Sequence, residues 1–533
     1  MPGGVLVPVE RPREEREPVV DRPLEARHVH ADAGSRGLSK TGAGTVTLSG
    51  TNTYTGATSV SAGKLSVTGT IAGSPVALSG GTLQGDGTTG AVTATGGTLQ
   101  PGTAVTGVLT TAGVSLDSST TFAVRLNGTA AGTGYDRLAS TGAVSLGGAT
   151  LSVSLGFTPS LGDVFRVIDD QDASSVSATF DGLTEGSVLT VGGASLRISY
   201  AGGDGNDVTL TAVDATPPVS SVALTGTAGL HGWFASALRV KVSADDGSGS
   251  GIAATRCVLN PAVAPAAFAD LPAGCGYLGP GRLVSQHQGL NRLYVASSDQ
   301  AGNRETPALT VFKIDTVAPS LRLSHRTTGS NGWNRRPTST VTLLLEKSDA
   351  TSRTDTTSVS CEDGSTPLTV VPRSGSPSYF RTNVTGDGTH SVACSLADNA
   401  GNVGSANDTV DIDTSLHTLD VTFPAAGGVY TATGWNAGCP TAGLCGTAAD
   451  APSGLDTVRV SLRSLASGRY WNWAGGGFTS AGQQYGAATV ETGGDWSLAF
   501  PGTNFARGRY SVHTVATDTA GNQTNRGFLV TIG

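Results

Sequence analysis

The chain has 533 residues, 76 of them Gly, with only 14% charged and 5% aromatic residues; that is length for several domains, with a Gly, Thr, Ser and Val bias that predicts strands and almost no helix. The net charge is -8 and no Lys/Arg cluster interleaves with aromatics, which argues against nucleic acid as a partner. No run approaches the ~20 apolar residues of a membrane-spanning helix.

Residues 1–36 mix Arg11, Arg13, Arg16, Arg22, Arg27 and Arg36 with Glu10, Glu14, Glu15, Glu17, Asp21, Glu25 and Asp32. This composition predicts a disordered charged tail. It holds no apolar core of the kind a signal peptide needs. An exported composition without a signal predicts a truncated chain or a misassigned start.

From Gly37 to Val67 the chain alternates small apolar and hydroxyl residues with period two, at Val46 and Leu48, Val60, then Leu65 and Val67, punctuated by Gly42, Gly44, Gly50, Gly56 and Gly63. Such short strands bury no face alone and must stack on near copies of themselves. The residues Lys40, Thr41, Gly42, Gly44, Val46, Leu48 to Gly50, Asn52 to Tyr54, Gly56 and Ala62 to Leu65 resemble the autotransporter passenger-associated repeat, with Val46 in a slot that is Leu in the family. The resemblance implies part of a right-handed parallel β-helix displayed outside a bacterial cell, and no enzymatic reaction. GGTLQ at Gly80 to Gln84 returns at Gly96 to Gln100, a spacing that predicts one further coil apiece. We therefore assign 37–107 to β-helix repeats. Residues 108–213 continue in longer strands, and resemble the larger, more aromatic piece that covers the open end of such a helix. A cap is physically required, because an uncovered end exposes strand edges.

At Asp214 the texture changes. Three markers recur in the same order: linkers at Asp214 to Pro218, Asp315 to Pro319 and Asp413 to His417; Gly-Trp at Gly232/Trp233, Gly332/Trp333 and Gly434/Trp435; and D-x-A-G-N at Asp299 to Asn303, Asp398 to Asn402 and Asp518 to Asn522. Strand-like repeats at this spacing predict three β-sandwiches over 214–314, 315–412 and 413–533. They resemble bacterial immunoglobulin-like domains of surface and secreted proteins. Cys361 and Cys394, the latter just before a D-x-A-G-N turn, resemble the cysteine pair of hyalin-repeat-like sandwiches. The six cysteines, Cys257, Cys275, Cys361, Cys394, Cys439 and Cys445, fall in order as three near pairs. An even count with no CxxC predicts disulfides in an oxidising compartment rather than zinc ligands. The short loop between Cys439 and Cys445 makes that pair the less expected.

The fold class is thus all-β, a short right-handed parallel β-helix with a C-terminal cap followed by three Ig-like sandwiches in tandem. Between Gly37 and Val108 the only charged residues are Lys40, Lys64 and Asp86, and no histidine occurs between Ala31 and Leu230. Acid/base and Ser-His-Asp chemistry have no residues there. No catalytic or cofactor-binding residue is assigned, and His231, His287, His325, His390, His417 and His513 read as solvated or loop residues. Gly85, Gly87 and Gly90 spell GxGxxG, but no helical period follows to make a phosphate cradle. GGDGNDVTL from Gly202 to Leu210 approaches a calcium nonapeptide in a single copy, and reads as a turn.

Structural calcium has a better case at the sandwiches, where Asp245, Asp246, Asp299, Asp315, Asp398 and Asp413 offer carboxylates near the linkers. The competing and preferred reading is a turn, in which Asp299, Asp398 and Asp518 accept backbone N–H bonds. Trp233, Trp333 and Trp435 read as packing anchors. Trp471 and Trp473 share one side of a strand, either as a glycan platform or, preferably, as core. The expected function is a non-catalytic bacterial surface or secreted adhesin-like protein with an extracellular protein or glycan receptor. The alternative is an accessory C-terminal region of a larger secreted enzyme, carbohydrate-active or protease, with its catalytic domain upstream. No outer-membrane barrel follows the third sandwich in this sequence, which leaves the export route open.

Overall fold

A computed structural model describes residues 34–284 and 287–533, with the backbone alone at 19–20 and 27–29. The expected charged tail thus falls almost wholly outside the described residues. The structure is 52% strand and 2% helical, and it divides into two compact units. The first comprises residues up to Ser221 with Val242–Gly276 and Tyr294–Leu309; the second comprises Val222–Lys241, Tyr277–Leu293 and Thr310–Gly533. The segment 214–314 contributes to both. No described helix is long and apolar enough to cross a membrane.

In the first unit the chain visits three sheets in rotation. Leu38–Lys40, Thr58–Val60, Val76–Leu78, Val92–Ala94, Val114–Ser115 and Val144–Ser145 build one sheet. Thr45–Leu48, Lys64–Val67, Thr82–Gly85, Gly97–Pro101, Thr120–Leu126 and Thr150–Leu155 build the second; Thr70–Ile71, Thr88–Thr89, Val108–Thr111, Arg137–Ser140 and Val164–Asp170 build the third. Neighbours in all three are parallel. Each turn of the chain therefore repeats the one before, and like residues stack in columns: Val46, Leu65, Leu83, Leu99, Phe122 and Leu151 occupy successive strands at one register. The two GGTLQ copies lie side by side, Thr82 against Thr98 and Leu83 against Leu99. These columns fill the interior, because a period of two sends alternate residues to one face.

Glycine at the corners follows from the same stacking. Gly63, Gly81 and Gly97 have φ of 67°, 66° and 78°. A Cβ on Gly63 would lie 2.2 Å from Gly42 O, one on Gly81 2.5 Å from Gly63 O, and one on Gly97 2.7 Å from Gly81 O. In the formal phosphate motif Gly85 ends strand Thr82–Gly85, Gly87 precedes strand Thr88–Thr89 and Gly90 follows it, and the next element is the strand Val92–Ala94 rather than a helix.

Beyond Val164 the third sheet turns antiparallel, through Asp207–Val213, Ala194–Gly202 and Val188–Val191. Phe122 and Phe180 stack at 5.9 Å, and Tyr135 meets Phe165 edge-on at 5.5 Å. GGDGNDVTL forms the hairpin turn there, pairing Gly202 with Asp207. The buried Asp136 fastens the loop before Val108: it accepts from Gly107 N (3.0 Å) and Arg125 N (2.9 Å) and pairs with Arg125 Nε (2.7 Å). Arg125 in turn donates to the carbonyls of Thr103 and Val105.

In the second unit, Ser320–Ser324, Thr340–Ser348, Tyr379–Thr385 and Val370–Pro372 form one sheet. Trp333–Arg335, Val403–Asp413, Gly388–Ala397, Ser360–Asp363 and Thr366–Leu368 form its companion, and Leu343, Leu345, Phe380, Val410 and Ile412 pack with both cysteines of the Cys361–Cys394 disulfide in one core. A second pair of sheets, four- and seven-stranded, encloses Trp435, Trp496, Phe500 and Val512. Trp233–Phe234 and Trp333–Arg335 are short strands parallel to the last strand of their own repeats. In the third repeat Val429–Tyr430 takes that place. Trp435 sits instead on the five-residue helix Ala432–Asn436, capped by Thr431 Oγ1, fully buried with Nε1 donating to Phe500 O at 2.7 Å. Cys257–Cys275, Cys361–Cys394 and Cys439–Cys445 are all disulfides, the short-loop pair included.

His231 and His287 are exposed, whereas His325, His390 and His513 are half-buried and His417 is buried. His390 Nδ1 lies 2.5 Å from Asp363 Oδ2 and Nε2 3.0 Å from Gly386 O, so the imidazolium can donate at both ends. Burial pulls its pKa down, but Asp363 and the Gly386 carbonyl more than offset that and raise it above the ordinary value. A raised folded pKa stabilises below the unfolded value of about 6.5 and is lost as pH rises through the folded value. The denaturation midpoint of the wild-type chain is therefore expected to fall as pH rises from about 6.5, with that slope flattened in His390→Gln. Equal slopes would show that the pair contributes nothing.

Candidate metal sites at the repeated aspartate turns

The D-x-A-G-N turn has one geometry three times over. The leading Asp donates its N–H to the Asn carbonyl at 2.9 to 3.1 Å, and its Oδ1 accepts the Asn N–H at 2.7 to 2.9 Å. Its Oδ2 accepts from Asn Nδ2, which also donates to the carbonyl of the linker aspartate: Asn303 to Asp214 O, Asn402 to Asp315 O and Asn522 to Asp413 O. Gly302, Gly401 and Gly521 stand at φ of 92° to 94°, where a side chain is strained. The turn and the linker are thus one hydrogen-bonded unit. That is why the two markers recur together.

A second loop closes each unit. The linker carboxylates Asp214, Asp315 and Asp413 accept from the N–H groups of Ser250, Ser352 and Ser453, each three or four residues past a further aspartate: Asp246, Asp349 and Asp450. Three groups result whose ligand atoms lie within 4.8 Å of one another: Asp214 with Asp246 and Asp299, Asp315 with Asp349 and Asp398, and His417 with Asp450 and Asp518. Of the carboxylates singled out in the sequence, Asp246, Asp299, Asp315 and Asp398 enter a group. Asp245 ends a strand on its exposed face and accepts from Gly247 N at 2.9 Å. Asp413 is buried and taken up by Ser415 N and Ser453 N. Sequence reasoning missed Asp349, Asp450 and His417; the signal for the loop aspartates was a serine three or four residues on.

Electrostatics separate the groups. Burial works to raise Asp214, but hydrogen bonds from Ser250 and Thr216 outweigh it and hold the carboxyl below its ordinary value. Asp450 is pushed up, first by burial and then by the charges of Asp413 and Asp518. Asp246 Oδ1, Asp450 Oδ1 and Ser352 Oγ are buried with no hydrogen-bond partner. Such carboxylate oxygens suit a hard cation.

The turns also take part in a docking contact within the second unit. Leu230 N donates to Ala400 O at 3.1 Å, and His231 Nδ1 lies 3.2 Å from Asn399 O. One repeat later, Ser330 N donates to Ala520 O at 2.9 Å, Asn331 Nδ2 to Thr519 O at 3.2 Å and Arg335 Nη1 to Gly521 O at 2.6 Å. The residue before each of the first two Gly-Trp pairs, His231 or Asn331, stands at positive φ, which turns the loop toward the next repeat.

Trp471 and Trp473 are half-buried. Trp471 lies 4.8 Å from the Phe500 ring and 5.2 Å from Phe478, and Trp473 lies 5.7 Å from Phe500. Both pack against the third core.

Residues 38–67 match the passenger-associated-transport repeat. Within that repeat Lys40 is 2% exposed, its ammonium donating to Gly42 O and, at 2.8 Å, to Ala62 O. Asn52 Nδ2 donates to Gly50 O (2.9 Å) and Thr70 O (3.3 Å), and Tyr54 OH meets Thr58 Oγ1 at 2.8 Å. The bonds from Lys40 to Ala62 O and from Asn52 to Thr70 O thus join one turn of the chain to the next, and the others brace the repeat locally. No curated protein matches the chain. Among solved structures it is similar to a 1.5-MDa bacterial ice-binding adhesin (18% identity, 60% of this chain, 100% of that one, TM-score 0.24). It is also similar to the FdeC adhesin of Escherichia coli (16%, 60%, 99%, 0.27) and to the N-terminal eight Ig domains of Down Syndrome Cell Adhesion Molecule (9%, 63%, 43%, 0.33).

Proposed function

We propose that this chain is a non-catalytic, adhesin-like bacterial surface or secreted protein. In this reading residues 37–213 are a right-handed parallel β-helix with its cap, and 214–314, 315–412 and 413–533 are Ig-like sandwiches, of hyalin-repeat-like type, that hold a binding surface away from the cell. The observation that carries it is the repeated junction. The loop before Gly-Trp docks on the next D-x-A-G-N turn twice, through the same backbone atoms, so each such loop is tied to the turn of the following repeat. The transport repeat supports export. The receptor is an extracellular protein or a glycan, with the half-buried Trp471 and Trp473 as the candidate aromatic contacts for a sugar.

The all-carboxylate groups at Asp214, Asp246 and Asp299 and at Asp315, Asp349 and Asp398 hold structural calcium in this proposal. A ligand that binds only the native state stabilises it by mass action. Millimolar calcium should raise the thermal midpoint of the full chain by several degrees over the chelated protein. An unchanged midpoint would remove calcium from the proposal. The adhesive role is tested separately, by binding of the purified chain to intact cells and to extracellular matrix. A catalytic domain encoded directly upstream would select the accessory-region reading instead.

A further inference from the structure

The third aspartate group differs from the other two, and we propose that His417, Asp450 and Asp518 form a site for a borderline first-row divalent cation of the zinc class. The linkers run DATPP, DTVAP and DTSLH, so His417 stands where the first two repeats carry Pro218 and Pro319. All three positions are buried, but only the third can ligate. His417 is 4% exposed. Its Nε2 sits between Ala516 O (2.8 Å) and Thr524 N (3.0 Å), so either tautomer is satisfied at that end. Its Nδ1 has no hydrogen-bond partner and faces Asp518 Oδ2 at 3.7 Å. Asp450 Oδ1, the third donor, is likewise buried and unpartnered.

One imidazole with two carboxylates is a zinc-type donor set, whereas oxygen-only groups suit calcium. Zinc binds N and O donors at about 2.0–2.2 Å, which sets tetrahedral neighbours about 3.3–3.6 Å apart. His417 and Asp518 already stand close to that, and the half-exposed Asp450 need swing in by only about an ångström. Each ligand is held from behind: His417 by Ala516 O, Asp518 by Asn522 N and Nδ2, and Asp450 Oδ2 by Ser453 Oγ at 3.2 Å. Such outer contacts orient metal ligands. The site does not depend on the adhesive role or on calcium elsewhere in the chain.

Calorimetric titration of the chelator-stripped full chain with zinc alone tests it. Wild type is expected to take up zinc saturably at one site that His417→Gln weakens at least about tenfold, while heats with calcium stay the same. Cobalt(II) should give visible d–d bands that His417→Gln removes. If that variant does not fold, Asp450→Asn, at the solvent edge of the site, carries the same expectation. Zinc affinity equal in wild type and variant, or no saturable uptake by wild type, overturns the proposal. A calcium response that survives either result leaves the junction reading intact.

Discussion

Asp398→Ala should cost the second repeat about 2–6 kcal/mol, the sum expected for two N–H donors left without partners. Asp398 is fully buried. Its Oδ1 accepts from Ala400 N (2.8 Å) and Asn402 N (2.9 Å), and its Oδ2 accepts from Asn402 Nδ2 (2.8 Å). Truncation orphans the N–H groups of Ala400 and Asn402, each worth about 1–3 kcal/mol when stranded, and leaves Asn402 Nδ2 with its bond to the Asp315 carbonyl alone. Because Leu230 and His231 dock on the same turn, the loop of the first repeat loses its seat as well. Domains have only about 5–15 kcal/mol to lose, so a separate, earlier unfolding transition is expected in chelated buffer. Asp398→Asn keeps an acceptor oxygen and should cost less. A loss below about 1 kcal/mol for the alanine variant would show that the turn is held by its backbone alone.

Opening the Cys361–Cys394 disulfide is the second large effect. The two residues are register partners on adjacent strands, 5% and 3% exposed, and 33 apart in sequence. Chain-entropy arithmetic for a loop of that length gives about 3–4 kcal/mol, against about 2 kcal/mol for the six-residue separation of Cys439 and Cys445. The double variant Cys361→Ala/Cys394→Ala should lower the denaturant midpoint of the second repeat by correspondingly more than the matching change at Cys439 and Cys445 lowers that of the third. Equal losses would mean that strain or residual structure, rather than loop closure, governs these bonds.

Much of the site was written in recurring residues. Asp398, Asn402 and Gly401 recur with Asp315 in the sequence because the Asn side chain bonds both aspartates, and a local bond of this kind leaves a fixed spacing. Asp349 and Asp450 left a weaker trace. They reach the site from a loop whose length differs between repeats, and only the serine behind them marks the position. The sequence places His417 among solvated or loop histidines; it does stand in the linker loop, but buried. What buries it is the final strand, Gln523–Ile532, whose Thr524 donates to its ring more than a hundred residues away.

The sequence by itself determined the all-β class, the cysteine partners by proximity, the transport repeat and the stacking of GGTLQ on GGTLQ. In each case the controlling interaction is local or repeats at a constant interval, so its period is legible in the chain. Only the tertiary structure decided which carboxylates converge, that Asp245 and Asp413 stay out of the groups they adjoin, and that the imidazole of the third linker is buried beside two of them. Those outcomes depend on the approach of segments far apart in sequence, where a shift of one residue along a strand turns a side chain from the buried face to the solvent.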